Sequence, residues 1–157
     1  MALIEWRDEY RTGIEGVDFE HETLIDQINA TYALVEKQAD RDLVIDALGE
    51  IYGSISAHFA LEEQMMLRHD YVNYREHKAD LGRLLDDIRD ITDEYEKSPE
   101  LDDSAFKQKL TDWFQVHFRT HDSRLHSLDG MRAHEPVSQS TLKVLIQNAK
   151  NKLLQRR

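Results

Sequence analysis

Residues 44–66 read VIDALGEIYGSISAHFALEEQMM. Within this run Val44, Leu48, Ile51, Ile55, His58, Glu62 and Met65 recur at alternating steps of four and three without a break. That period puts all seven on one face of a helix, the inward seam of a bundle. Asp40 stands where an N-cap belongs, so the helix is expected from there to about Leu67. Two members of the seam, His58 and Glu62, are not apolar. A buried His or Glu is costly unless it is paired or bound to metal. The run that decides the fold therefore also shows where to look for chemistry.

The same stepping extends in both directions. Upstream, a helix is expected over about Phe19–Lys37, with the stripe His21, Leu24, Ile28, Thr31 and Val35, behind an irregular arm containing Trp6, Gly13 and Gly16. Downstream, after a polar link at His69 and Asp70, a helix over about Asn73–Glu96 carries Tyr74, His77, Leu81, Leu84, Ile88, Ile91 and Tyr95. Ser98-Pro99 ends it, and Asp102 or Asp103 caps a fourth helix with the stripe Phe106, Leu110, Trp113 and His117. Gly130 and Pro136 interrupt the chain again before a last helix over about Ser138–Gln155. The expected fold is all-α: an up-down-up-down four-helix bundle with an N-terminal arm and an extra C-terminal helix.

In such a bundle the starts of helices one and three adjoin the ends of helices two and four. His21 and His77 lie at starts; His58, Glu62 and His117 lie near ends, so all five meet at one end. Asp122 follows His117 by five residues, about 140° around an ideal helix, and joins them if the last turn loosens or its side chain reaches across. A single His on an apolar stripe is usually a core histidine bonded to a neighbour. Six polar groups at one level are different, because a purely structural layer would bury several charges together, and metal neutralises them. Imidazoles with bridging-capable carboxylates and no sulfur suit iron, manganese or zinc. Four imidazoles and two carboxylates are too many for one tetrahedral zinc and suit two metals bridged by Glu62 and Asp122.

Composition sets the outer limits. The chain has 157 residues with 40% hydrophobic, enough for one core, and only 6 Gly and 2 Pro to interrupt helices. Cysteine is absent, which excludes disulfides, thiolate metal sites and cysteine nucleophiles. No apolar run has signal-peptide or membrane-spanning length, so the reading is a soluble, cytoplasmic protein. The net charge is −11, but residues 127–157 carry six Lys/Arg against two Asp/Glu, leaving 14 basic and 29 acidic residues in 1–126. An acidic body of that kind does not suit nucleic acid.

Taken together, Trp6, Gly13-Ile14 and Val17-Asp18 ahead of His21, then His58-Phe59 with Glu62-Glu63 and Met66, then Trp113 with His117 and Asp122, resemble the bacterial hemerythrins over about residues 4–126. These motifs are specific in combination and weak singly. The resemblance implies a four-helix bundle around two iron ions, oxo- or hydroxo-bridged, that bind dioxygen reversibly. It implies that His21 and His58 hold the iron that takes dioxygen, that His77 and His117 hold the other, and that Glu62 and Asp122 bridge them. The family pattern has a further histidine four residues after the one matching His77, and here that position is Leu81. Six of the seven protein ligands are thus present, and the second iron is expected to have an open position, or to bind weakly or not at all.

The leading reading is a non-haem di-iron dioxygen-binding protein (carrier, store or sensor) rather than an enzyme. The alternatives are a di-iron enzyme with oxidase or peroxidase-type activity at the opened site, or an interaction bundle with a degraded site. Ferritin-like oxidases carry Glu-x-x-His on two helices, and no His here has a Glu three residues before it. His121, four residues after His117, is a candidate supporting group behind Asp122. His69, His126 and His134 read as link or tail residues, and Glu63 as a solvated neighbour of Glu62. The expected domains are residues 1–126, the di-iron bundle, and 127–157, a basic amphipathic helical extension. That extension suits packing on the acidic bundle or a twin subunit, a protein partner, or a membrane surface.

Overall fold

The computed structural model describes residues 2–11, 15–98, 103–117 and 139–155. Among the described residues there are five α-helices, α1 (Glu15–Glu36), α2 (Arg41–Arg68), α3 (Tyr74–Lys97), α4 (Asp103–His117) and α5 (Gln139–Gln155), and a 3-10 turn at Asp8–Tyr10 in the arm. No strand occurs among the described residues. α1 packs on α2, α2 on α3, α3 on α4 and α4 back on α1, which is the ring of an up-down-up-down bundle. The described residues are therefore all-helical in their regular structure, as the periodicity predicts.

The α1 and α2 stripes are buried along their whole length, from His21 to Val35 and from Val44 to Met65. On α3 His77, Leu81, Leu84, Ile88 and Ile91 are buried, while Tyr74 and Tyr95 at the two ends are partly covered. Phe106, Leu110 and Trp113 complete the core from α4, and the Trp113 indole N–H donates to the Leu84 carbonyl at 2.8 Å, fixing α4 against α3. α1 begins one turn earlier than its apolar stripe suggests. Glu15 and Asp18 supply negative charge to its first turn, where the helix dipole favours it. Asp40 does occupy the N-cap of α2, but its side chain makes no capping hydrogen bond; its carbonyl accepts from Leu43 and Val44.

α1 ends on Gln38 in the left-handed region (φ 53°), where the Gln38 N–H donates to the Val35 carbonyl and the Ala39 N–H to the Leu34 carbonyl. This is the Schellman closure, normally built on glycine. α2 ends similarly on Asp70 (φ 48°), with the Tyr71 N–H donating to the Met66 carbonyl. The arm is clamped by Asn29, whose amide both accepts from the Ile4 N–H and donates to the Ile4 carbonyl, and by the edge-on aromatic run Trp6, Tyr10 and Phe114.

α5 lies against the outer face of α2. Ile146 meets Gly53, and Lys150 meets Gly49, so the two helices run antiparallel. A Cβ on Gly53 would stand 2.7 Å from the Ile146 carbonyl oxygen, so only glycine admits α5 at this distance. Lys150 Nζ pairs with Asp46 at 2.7 Å and Glu50 at 2.6 Å. Of the uses open to a basic amphipathic helix, packing on the acidic bundle is the one observed. α2 is consequently covered on two sides, which explains why Gly49, Gly53, Ala57 and Leu61 are buried as well as its seam.

Candidate metal centre

The polar members of the seam gather at one end of the bundle. α2 supplies His58 and Glu62, one turn apart on one face. α1 supplies His21 and α3 supplies His77. His21 and Glu62 are 1% exposed, and His58 and His77 5% each, so all four are withdrawn from water. Burial of this kind demands compensation. Glu62 provides some of it, with one oxygen 3.2 Å from His58 Nε2 and the other 3.5 Å from His77 Nε2. A single carboxylate thus spans two imidazoles from different helices. The His21 and His58 rings lie edge to face with centroids 5.1 Å apart.

His58 has a second carboxylate. Its Nδ1 stands 2.5 Å from Glu20 Oε2, a half-buried residue immediately before His21 on α1. A neutral imidazole carries one N–H. With that proton on Nδ1 for Glu20, Nε2 holds a lone pair directed at the Glu62 side of the ring. The contact between Nε2 and Glu62 then needs a cation between them, either a second proton or a metal ion. This donor chemistry fits a metal: nitrogen and oxygen only, and a carboxylate with an oxygen for each of two neighbouring imidazoles.

The sequence-predicted members do not all fall within the described residues. The described part of α4 reaches His117, whose side chain is outside them, as are Asp122 and the supporting candidate His121. Among the described residues no group of three or more donors is close enough to hold a metal by itself. His126 and His134 are likewise outside, and His69 is the exposed C-cap of α2. Leu81 is buried on α3, one turn beyond His77 on the same face. Glu63 is more than a solvated neighbour. It accepts from the Tyr74 hydroxyl and from Lys78, both at 2.7 Å, which ties α2 to the first turn of α3 and holds its carboxyl below the usual carboxylate range.

Glu20 went unmarked in the sequence, where nothing separates it from its exposed neighbour Glu22. Ile146 is the second addition. A small cavity of about 30 Å³ adjoins the His21 and His58 rings between α1 and α2, walled by Thr23, Leu24, Ser54 and Ile55, and Ile146 of α5 lies on its outer side.

With this geometry in view, residues 12–128 match the hemerythrin HHE cation-binding domain. The chain belongs to that family. This hemerythrin-family chain is 24% identical over 134 residues to the bacteriohemerythrin of Stenotrophomonas maltophilia, covering 85% of each. It is 24% identical over 123 residues to the bacteriohemerythrin of Pseudomonas aeruginosa, covering 78% of this chain and 79% of that one. It is 30% identical over 117 residues to the hemerythrin beta subunit of Lingula anatina, covering 74% of this chain and 87% of that one. No solved structure matches it. The matched span includes His21, His58, Glu62, His77, His117 and Asp122. α5 lies beyond the match. No helix among the described residues is long and apolar enough to cross a membrane.

Proposed function

We propose that this hemerythrin-family chain binds two iron ions at the polar end of its bundle and, through them, dioxygen. The observation that carries the reading is the placement of Glu62, whose two oxygens face His58 Nε2 and His77 Nε2 on separate helices. A carboxylate so placed would suit two metal ions, with one imidazole facing each oxygen. In this assignment His21 and His58 would hold one iron, His77 and His117 would hold the other, and Glu62 with Asp122 would serve both. A bound iron pair supplies reversible electron donation to dioxygen, which no side chain of this protein offers alone.

The protein's own residues do the rest. Glu20 accepts a hydrogen bond from the His58 Nδ1–H, which fixes the tautomer and leaves the Nε2 lone pair free to bind a metal. The packed apolar seam around the site, from Leu24 and Ile55 to Leu81 and Leu84, would limit the access of water to a bound metal. Leu81 marks a departure from a seven-ligand set and leaves the second position one donor short. Reversible dioxygen binding as a carrier, store or sensor remains the reading that the family and the buried site support. The opened second position favours one further reading, oxidation chemistry at that metal.

The test is metal analysis of the purified, iron-reconstituted protein beside its absorption spectrum with and without oxygen. Between one and two irons per chain and a charge-transfer band that changes reversibly with oxygen are expected. No more than trace iron after reconstitution would overturn the proposal. Full iron with irreversible oxidation and peroxide turnover would move the assignment to the enzyme.

A further inference from the structure

α5 lies outside the matched family domain, yet it reaches the candidate metal centre. The cavity beside His21 and His58 sits between α1 and α2, and its lining includes the two rings assigned to the dioxygen-side iron and the Glu20 carboxylate that faces His58 Nδ1. Its outer side carries Ile146 from α5. The volume of about 30 Å³ is roughly twice the ~10–15 Å³ that a single water requires, which is room for a diatomic molecule. Two features keep Ile146 in place. Gly53 lets the α5 backbone approach α2 until the Ile146 carbonyl occupies the space that a Cβ would fill. One turn further on, Lys150 is anchored by Asp46 and Glu50.

We infer that α5 closes the ligand route to the metal centre, with Ile146 as the side chain that controls passage of small uncharged molecules to the His21–His58 side. The inference rests on the proposed assignment of that side as the one that takes dioxygen. The physical argument is steric and dielectric. A branched apolar side chain over a diatomic-sized space passes dioxygen by small displacements of α5. It opposes hydrated anions and larger reductants, which would have to shed water to enter. Gly53 and Lys150 set how far α5 can lift. Access thus depends on a helix outside the ligand-bearing bundle.

Two measurements on the full chain separate this inference from the iron assignment. The first uses metal-free protein and xenon, followed by the methyl resonances of Leu24 and Ile55. Ile146→Ala is expected to strengthen the xenon response and Ile146→Trp to abolish it. The second uses iron-loaded protein and stopped-flow dioxygen association, with iron content measured for each variant. Ile146→Ala and Gly53→Ala, the latter pushing α5 off α2, are each expected to speed association roughly tenfold, as removal of one small steric barrier allows. Ile146→Trp is expected to slow it. Gly53→Ala replaces no residue of the cavity lining and keeps the test valid if Ile146→Trp does not fold. Xenon responses that follow the variants in a chain that takes up no iron would sink the iron assignment and leave closure by α5 standing. Normal iron loading with association rates indifferent to all three variants would overturn the inference, whatever xenon does.

Discussion

Glu20 Oε2 stands 2.5 Å from Nδ1 of His58, while Nε2 of the same ring faces Glu62. The two carboxylates flank one imidazole from opposite sides, and Glu20 is the one placed to accept a hydrogen bond from its Nδ1–H. Glu20 is therefore a positioning residue for a ligand on another helix. Glu20→Ala should lower iron affinity by roughly 10–100-fold, the usual range for loss of such a partner. Glu20→Gln, which keeps an acceptor oxygen but no charge, should fall between. Iron retained after a graded chelator challenge is the readout. If both variants hold iron as wild type does, the Glu20–His58 contact only packs α1 against α2.

Glu62 and Asp122 are assigned to bridge, and His121 at most to orient. Glu62→Ala or Asp122→Ala should remove iron from both positions, because each withdraws a donor from each metal. His121→Ala should leave most of it. Metal content and the intensity of the oxygen-sensitive band distinguish the three variants. Equal loss in all of them would contradict the assignment.

Much of this arrangement was readable from spacing alone, for a specific reason. Bundle helices bury one face, so a four-three rhythm in the sequence is also a list of core positions, and the His21, His58, Glu62 and His77 entries in that rhythm proved buried together. What escaped reading was off the seam. Glu20 is one residue, about 100°, away from His21 and looks like any surface acid. Ile146 reaches the centre only because Gly53 admits a fifth helix, a pairing between residues far apart in sequence. Apolar spacing also placed the start of α1 late, since Glu15 and Asp18, acids that suit the positive end of a helix, precede the apolar stripe. Asp122 stands about 140° from His117 on an ideal helix, so its place in the site depends on the local turn there, and it lies outside the described residues.

Gln38 closes α1 with φ 53°, at the far end of that helix from the His21 turn. A side chain in the left-handed region costs about 1–2 kcal/mol, and glycine recovers part of that against its larger entropy in the unfolded chain. Gln38→Gly should therefore stabilise the fold by about 0.5–1 kcal/mol with no change in iron content. Denaturant unfolding of the metal-free protein measures it. A destabilised variant would mean that the Gln38 side chain makes a contact worth more than the strain.

Lys150 couples α5 to the bundle, and its titration sets a pH limit. Burial alone would lower its pKa, but hydrogen bonds from Nζ to Asp46 and Glu50 outweigh burial and raise it above the ordinary lysine value. A raised pKa in the folded state means a contribution fully present below the unfolded value, about 10.4, and lost as pH rises through the higher folded one. Stability of wild type should therefore fall more steeply in that alkaline range than stability of Lys150→Met. At neutral pH the variant should be weaker by about 1–2 kcal/mol, the scale of charged hydrogen bonds. Matched thermal melts across the range test both statements. Parallel curves would show that Lys150 does not hold α5.

Leu81→His is the most direct probe of the unusual ligand set. Leu81 follows His77 by one turn on the same face of α3 and is 4% exposed, so a histidine there would be directed into the site rather than to solvent. In the metal-free protein the exchange of a packed leucine for an imidazole should cost about 1–3 kcal/mol. In the iron-loaded protein, ligation should offset that cost, because metal binding is coupled to folding. The added donor would fill the second position and confine exogenous ligands to the His21–His58 side. Tighter iron retention under chelator, a longer-lived oxygenated form and less peroxide turnover are expected together. The comparison is the autoxidation half-life of wild type and variant at equal iron content. A variant that oxidises no more slowly and retains iron no better would show either that a seventh donor already serves the second position or that residue 81 faces packing rather than metal.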